Sequence, residues 1–151
     1  MTALNDDQLQ LQRFEQICKD AGLKVTHQRL EIYREVLAAH DHPSAEALYK
    51  RLKKRLPSLS LDTVYRTLGT FDQLNLVHRV ETLESQARYE AFNSRHHHFL
   101  CKGCGKLVDF TWQYFDAVQL PEHLSSIGTV DQANVVVHGT CAACVSSARS
   151  R

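Results

Sequence analysis

His96-His97-His98-Phe99-Leu100-Cys101-Lys102-Gly103-Cys104-Gly105-Lys106-Leu107-Val108-Asp109-Phe110 is the stretch on which the fold of this 151-residue chain turns. Its cysteine pair leaves two residues between thiols, and a second pair of the same spacing, Cys141-Ala-Ala-Cys144, follows after 36 residues. Two such knuckles can present four thiolates to one tetrahedral Zn²⁺. Disulfides and a redox pair are the competing readings. A redox CxxC would open a helix after a strand, whereas Gly105–Phe110 reads as a strand, so structural zinc is the expectation. Cys18 stands alone on an amphipathic helix and reads as a small packing residue.

Outward from this stretch, composition is that of an ordinary globular protein, with 43% hydrophobic and 23% charged residues and a formal net charge of +1. Global charge therefore does not argue for nucleic acid, but its distribution is uneven. Lys50-Arg51-Leu52-Lys53-Lys54-Arg55 holds five cations in six residues, while residues 92–151 carry only nine acidic or basic side chains. The expected division is a charged first domain (1–91), a hinge (92–95) and a cysteine- and histidine-bearing second domain (96–151). The start of the chain lacks the apolar core of a signal peptide, and no run is long enough to span a bilayer. A cytoplasmic location without membrane attachment is expected, where structural disulfides are disfavoured. The Ser/Arg tail after Cys144 reads as frayed.

The first domain reads as consecutive helices. Leu9–Ala21 is amphipathic through Leu11, Phe14, Ile17 and Cys18, and stops at Gly22. Thr26 can cap a second helix reaching about Ala39, with Leu30, Tyr33, Val36 and Leu37 on its apolar face. Pro43-Ser44 opens a third, Ala45–Leu56, ended by Pro57. Ser60 can cap a fourth to about Asn75, whose Leu61, Val64, Leu68, Phe71 and Leu74 recur at threes and fours. Leu76–Glu81 and Ala87–Ala91 then read as two short strands around Thr82–Gln86. Helices followed by a β-hairpin are the plan of a winged helix-turn-helix, which makes the whole an α+β protein. The fourth helix has a polar face of Asp62, Thr63, Arg66, Thr67 and Thr70, with Tyr65 at its edge. Arg66 can fork onto a guanine edge, Tyr65 can reach a thymine methyl or a phosphate, and short hydroxyls let phosphates approach. The basic third helix and Arg79 would add salt-dependent phosphate contacts. The same charges also fit a solvated face, and Tyr65 a core position.

On a strand, residues two apart share a face, so His96 and His98 face together and His97 points away. Asp109 lies on the next strand, beyond the knuckle that folds the two together. Two imidazoles and a carboxylate suit Fe²⁺ or Mn²⁺ as well as Zn²⁺.

As a set, these residues resemble the Fur family of metal-dependent repressors from about Leu9 to Cys144. The resemblance is carried by Thr26-His27-Gln28-Arg29, His42-Pro43-Ser44-Ala45-Glu46, Thr63-Val64-Tyr65-Arg66 and the His96–Phe110 stretch joined to a second CxxC. It implies an N-terminal winged helix, a C-terminal α/β dimerisation domain held by zinc on Cys101, Cys104, Cys141 and Cys144, and a homodimer on a palindromic double-stranded DNA operator. It also implies a regulatory Fe²⁺ or Mn²⁺ site of His42, Glu90, His96, His98 and Asp109, and DNA contacts from Arg29, Thr63, Tyr65, Arg66 and Thr67. Metal shared between the two domains would bias the hinge by population shift. Asp109, where iron regulators usually carry glutamate, resembles the peroxide-sensing PerR branch, in which bound iron leads to oxidation of a ligand histidine, here His42 or His96. Glu90 and Arg66 resemble the iron type instead, and reversible sensing of iron, zinc or manganese is the alternative. Relatives with an additional metal site use histidines where this chain has Arg95 and Ala133, so no such site is expected. His27, His123 and His138 are read as surface residues.

An enzyme is the competing class, but HExxH, the His-X-Glu of zinc deaminases, a phosphate loop and a nucleophile elbow are all absent from the sequence. A metal carrier is the stronger rival, since it would need the His/Cys sites but not the fourth helix.

Overall fold

Three hydroxyl caps start the helices of the first half. In the computed structural model, which describes residues 2–80, 82, 86–91 and 94–150, Thr26, Ser44 and Ser60 each accept a backbone N–H three residues on. Each such cap contributes about 1 kcal/mol. They open α2 (His27–Ala38), α3 (Ala45–Lys53) and α4 (Leu61–Gln73), which follow α1 (Thr2–Asp20) and precede the antiparallel hairpin β1 (Val77–Val80) and β2 (Arg88–Ala91). These elements make up the first of two compact units, Met1–Asn93.

The helix limits differ from the sequence reading in two places. α1 begins well before Leu9, where the sequence offers no apolar period to read: residues 6–9 are exposed, Leu9 at 61%. α3 stops at Lys53 rather than Leu56, since the residue before Pro57 is disfavoured in the helical region. Lys53 then donates to the carbonyls of Pro57 (2.7 Å) and Leu59 (2.9 Å), pinning the turn into α4. At the far end of α4, Asn75 takes a left-handed φ of 55° and the Leu76 N–H returns to the Phe71 carbonyl at 2.8 Å, reversing the chain into β1. Residue 81 of the expected first strand and residues 83–85 of its turn lie outside the described residues.

The core of this unit is aromatic at its centre. Phe14 stacks on Tyr33 with centroids 4.3 Å apart, and Phe71 meets Phe14 edge-on at 5.4 Å. Burial pushes the Tyr33 phenol up to about 12, so it stays neutral. Ile32, Val36, Leu48, Leu52, Leu59, Val64 and Leu68 complete the layer, and Cys18 packs among them as the sequence suggested.

The second unit, Ser94–Arg151, is built on a three-stranded sheet ordered β4-β3-β5. β3 (His97–Cys101) pairs antiparallel with β4 (Leu107–Phe110) across the first knuckle, and parallel with β5 (Val136–Gly139). Short helices α5 (Gln113–Ala117) and α6 (Leu124–Ile127) fill the crossover. The tail expected to fray instead forms α7 (Ala142–Arg149): Cys141 sits at its N-cap, and the Val145 N–H bonds back to the Cys141 carbonyl at 3.0 Å. Of the expected hinge, residues 92 and 93 lie outside the described residues. No described helix is long and apolar enough to cross a membrane.

Candidate metal centres and nucleic-acid interface

The four cysteines converge. Cys101 Sγ lies 3.8 Å from Cys144 Sγ, Cys104 Sγ lies 3.8 Å from Cys141 Sγ, and all four sulfurs fall within 4.8 Å of one another. A tetrahedron of Zn–S bonds of about 2.3 Å has sulfur–sulfur edges of about 3.8 Å, whereas a disulfide needs about 2.05 Å. The spacing therefore fits one Zn²⁺ and rules out disulfides within this set. The Gly103 and Cys141 backbone N–H groups donate to Cys101 Sγ at 3.3 and 3.2 Å. The Cys141 amide foremost, with the other knuckle amides, draws the Cys101 thiol down to about 6. Hydrogen bonding with Cys141 and the other two thiols pushes Cys144 up to about 12. Four thiolates cannot crowd together without a cation, and a divalent one resolves that conflict. Gly103 packs closely against the set: a Cβ there would sit 3.0 Å from Cys144 Sγ and press that sulfur aside by a few tenths of an ångström.

Within the second unit, the β3–β4 register sets His98 opposite Asp109, with His98 Nε2 3.4 Å and His96 Nε2 3.9 Å from Asp109 Oδ1. The two imidazoles face together with centroids 4.8 Å apart, as the two-residue period requires. His96 Nδ1 lies 2.8 Å from the Ser94 carbonyl, which can only accept, so Nδ1 carries the proton and Nε2 keeps its lone pair toward Asp109. Within the first unit, His42 Nε2 lies 2.9 Å from Glu90 Oε2. Donors sharing an ion through bonds of about 2.1 Å stand about 3.0–3.4 Å apart, so His98 with Asp109 and His42 with Glu90 each fit part of a nitrogen/oxygen coordination shell, while His96, at 3.9 Å, stands wider. His42 is buried and takes a left-handed φ of 50°, a conformation that costs a residue with a Cβ about 1–3 kcal/mol.

His97, turned to the opposite face, has a structural task that the sequence did not reveal. Its Nδ1 accepts the Val135 N–H at 3.0 Å, so its Nε2 donates to Asp116 Oδ1 at 3.0 Å, and Phe110, Trp112 and Phe115 surround the ring. Arg95 shares the same carboxylate at 2.9 Å and donates to the Ala133 carbonyl at 3.1 Å. A guanidinium thus lies between Asp116 and residue 133, the position singled out above for its missing histidine.

On α4, Arg66 is 81% exposed and pairs with Asp62 one turn back at 2.9 Å. Tyr65 is exposed rather than core, and its hydroxyl donates to the Glu46 carboxylate of α3. That bond holds the Glu46 carboxyl below its usual range and raises the Tyr65 phenol. Thr63 bonds the capping Ser60 hydroxyl at 2.8 Å. Arg29 donates to the Lys24 carbonyl at 2.7 Å, which ties it to the start of α2. Thr67 corrects the sequence reading: it is 5% exposed, on the inward stripe with Val64, Leu68 and Phe71, because three residues from Val64 is one helical turn. The remaining missed residues, Arg88, Asp116 and Glu46, act through contacts distant in sequence; only the spacing of Arg88 two before Glu90 hinted at a shared face.

Residues 20–130 match the model of the ferric uptake regulator family. The peroxide-responsive repressor PerR of Staphylococcus epidermidis is 32% identical over 127 residues, covering 83% of this chain and 84% of that protein. The solved ferric uptake regulator of Vibrio cholerae is 33% identical, with a TM-score of 0.65 over 83% of this chain and 98% of its own. That of Helicobacter pylori superposes with a TM-score of 0.74 over 91% of this chain and 93% of its own, at 23% identity, a likeness of fold alone.

Proposed function

The chain belongs to the ferric uptake regulator family, and from that premise we propose that it is a metal-dependent, DNA-binding transcriptional repressor whose signal is peroxide. The observation that carries the reading is the register of His98 against Asp109, which sets a short carboxylate beside two imidazoles. Likeness to a peroxide-responsive repressor at 32% identity supports it. In this reading His42 and Glu90 of the first unit join His96, His98 and Asp109 of the second on one regulatory Fe²⁺ or Mn²⁺, while Zn²⁺ on the four cysteines is structural. The second unit is then the dimerisation domain. Exposed Trp112, Tyr114, Val118, Leu120, Ile127 and Val137 are the apolar side chains that a partner copy would cover.

Metal held by both units would favour the arrangement in which two α4 helices of a dimer match the half-sites of a palindrome. The size of the response is set by how much more tightly that arrangement binds metal than the others do. Ser94 fixes the tautomer of His96, Glu90 sets the orientation of His42, and Arg66, Tyr65 and Thr63 read the operator, with Lys50 and Lys54 on phosphates. Iron held by His42, Glu90, His96, His98 and Asp109 would supply the redox chemistry toward peroxide, and oxidation of His42 or His96 beside it would remove a ligand from the site. The protein is on this account a regulator acting on cytoplasmic DNA, not an enzyme.

The test is to load Fe²⁺ anaerobically, add stoichiometric peroxide, and follow operator binding and tryptic peptides together. One added oxygen on His42 or His96 with loss of binding is expected, and the Mn²⁺-loaded protein should resist. Unmodified histidines, with binding lost only on chelation, would assign the chain to reversible iron sensing, which its likeness to the Vibrio cholerae regulator favours as the second reading.

A further inference from the structure

His42 holds a backbone conformation that its Cβ disfavours, and strand β2 is what holds it there. The Arg88 guanidinium donates through Nη2 to the Asp41 carbonyl at 2.8 Å and through Nε to the His42 carbonyl. The next residue, Tyr89, donates its backbone N–H to the Pro43 carbonyl at 3.0 Å, and Ser44 pairs with Arg88 as an isolated antiparallel bridge. Three successive carbonyls around the left-handed residue are thus bound by two successive residues of β2. The Asp41 carboxylate is tied in addition to Arg51 of α3. Along β2, Tyr89 and Ala91 turn into the core, so Arg88 and Glu90 share the opposite face. One face of one strand therefore supplies both the carboxylate beside the His42 imidazole and the cation that fixes the His42 main chain.

We infer that Arg88 is a positioning residue for the regulatory metal: its guanidinium locks the 41–43 turn in the left-handed form that aims the His42 imidazole at Glu90. This rests on the reading of His42 as a metal ligand. The guanidinium suits the task because its planar fork binds two carbonyls at once, which a lysine ammonium does not do with the same rigidity. Without it the turn relaxes toward negative φ, and the imidazole leaves Glu90. Partners that orient metal ligands in this way typically change metal affinity about 10–100-fold when replaced.

The experiment is Mn²⁺ titration of the full-length, zinc-containing protein against a chromophoric chelator, for wild type, His42→Ala, Arg88→Met, Arg88→Lys and the His42→Ala/Arg88→Met double variant. Arg88→Met should weaken Mn²⁺ binding about 10–100-fold, and Arg88→Lys by less. In the His42→Ala background Arg88→Met should add nothing further, since a residue acting through His42 has no effect once His42 is gone. At saturating Mn²⁺ the operator affinity of Arg88→Met should equal that of wild type. If His42→Ala binds Mn²⁺ as wild type does, the ligand reading itself fails. If His42→Ala is weakened but Arg88→Met is not, the ligand reading stands and the positioning role is overturned. Equal weakening in both backgrounds, or lost operator binding at saturating Mn²⁺ with metal affinity intact, also overturns it; the latter would make Arg88 a phosphate contact. Should Arg88→Met not fold, Arg88→Lys carries the same contrasts.

Discussion

Replacing Cys104 by serine isolates the structural contribution of the metal, because Cys104 is the one exposed thiol of the four and the change removes a ligand without opening a cavity. The second unit spans 58 residues, and its buried side chains among those described are Leu100, Cys101, Leu107, His97 and His98. A domain of that size has about 3–9 kcal/mol of stability at the usual 0.05–0.15 kcal/mol per residue. A structural Zn²⁺ contributes on the order of 10–16 kcal/mol of binding free energy. The metal term exceeds the whole stability of the unit, so Cys104→Ser should not merely soften it but unfold it. Zinc measured by mass spectrometry should fall from one per chain toward zero. Thermal unfolding should lose the transition of the second unit and keep that of the first, whose core of Phe14, Tyr33 and Phe71 does not involve the four paired cysteines. Sedimentation should show loss of the dimer that the proposed function requires. A Cys104→Ser protein that is zinc-free yet unfolds within a few degrees of wild type would refute the argument, since the sheet would then stand on its own packing.

Further outcomes follow from the first unit. Arg66→Ala should cost about 1–3 kcal/mol in operator affinity and relax specificity at one base position in a gel-shift series, with little change in stability because its pair with Asp62 is exposed. Lys50→Ala or Lys54→Ala should each reduce the slope of log affinity against log salt by about one. Lys53→Ala, whose ammonium is bonded to two carbonyls of the α3–α4 turn, should instead lower the thermal midpoint. Tyr65→Phe should raise the titration midpoint of Glu46 followed by carboxyl NMR. Glu46 is held below its usual range chiefly by the Tyr65 hydroxyl, so the stabilisation from that bond is present above the unfolded carboxylate range and is lost as pH falls through the folded midpoint. Without the hydroxyl that stabilisation is absent, so the fall in stability that Glu46 contributes on acidification should shrink.

Periodicity and spacing by themselves determined the four helices of the first unit, their hydroxyl caps, the hairpin and the four-cysteine set, because each depends on residues within a few positions or on a doubled local motif. The facing of His96 and His98 was legible for the same reason, strand alternation being a local rule. Tertiary structure decided what depends on contacts across the chain. Thr67 looked available on a polar face, yet packing turned it inward. Alternation said only that His97 turns away from its two neighbours; Asp116 and Val135, 19 and 38 residues away, made it a buried strut. The tail became a helix once Cys141 joined the knuckle that starts it. Nor could composition or spacing tell that Arg88 would grip the backbone at His42 across 46 residues, since a hydrogen bond to a main-chain carbonyl leaves no mark on the residue that accepts it.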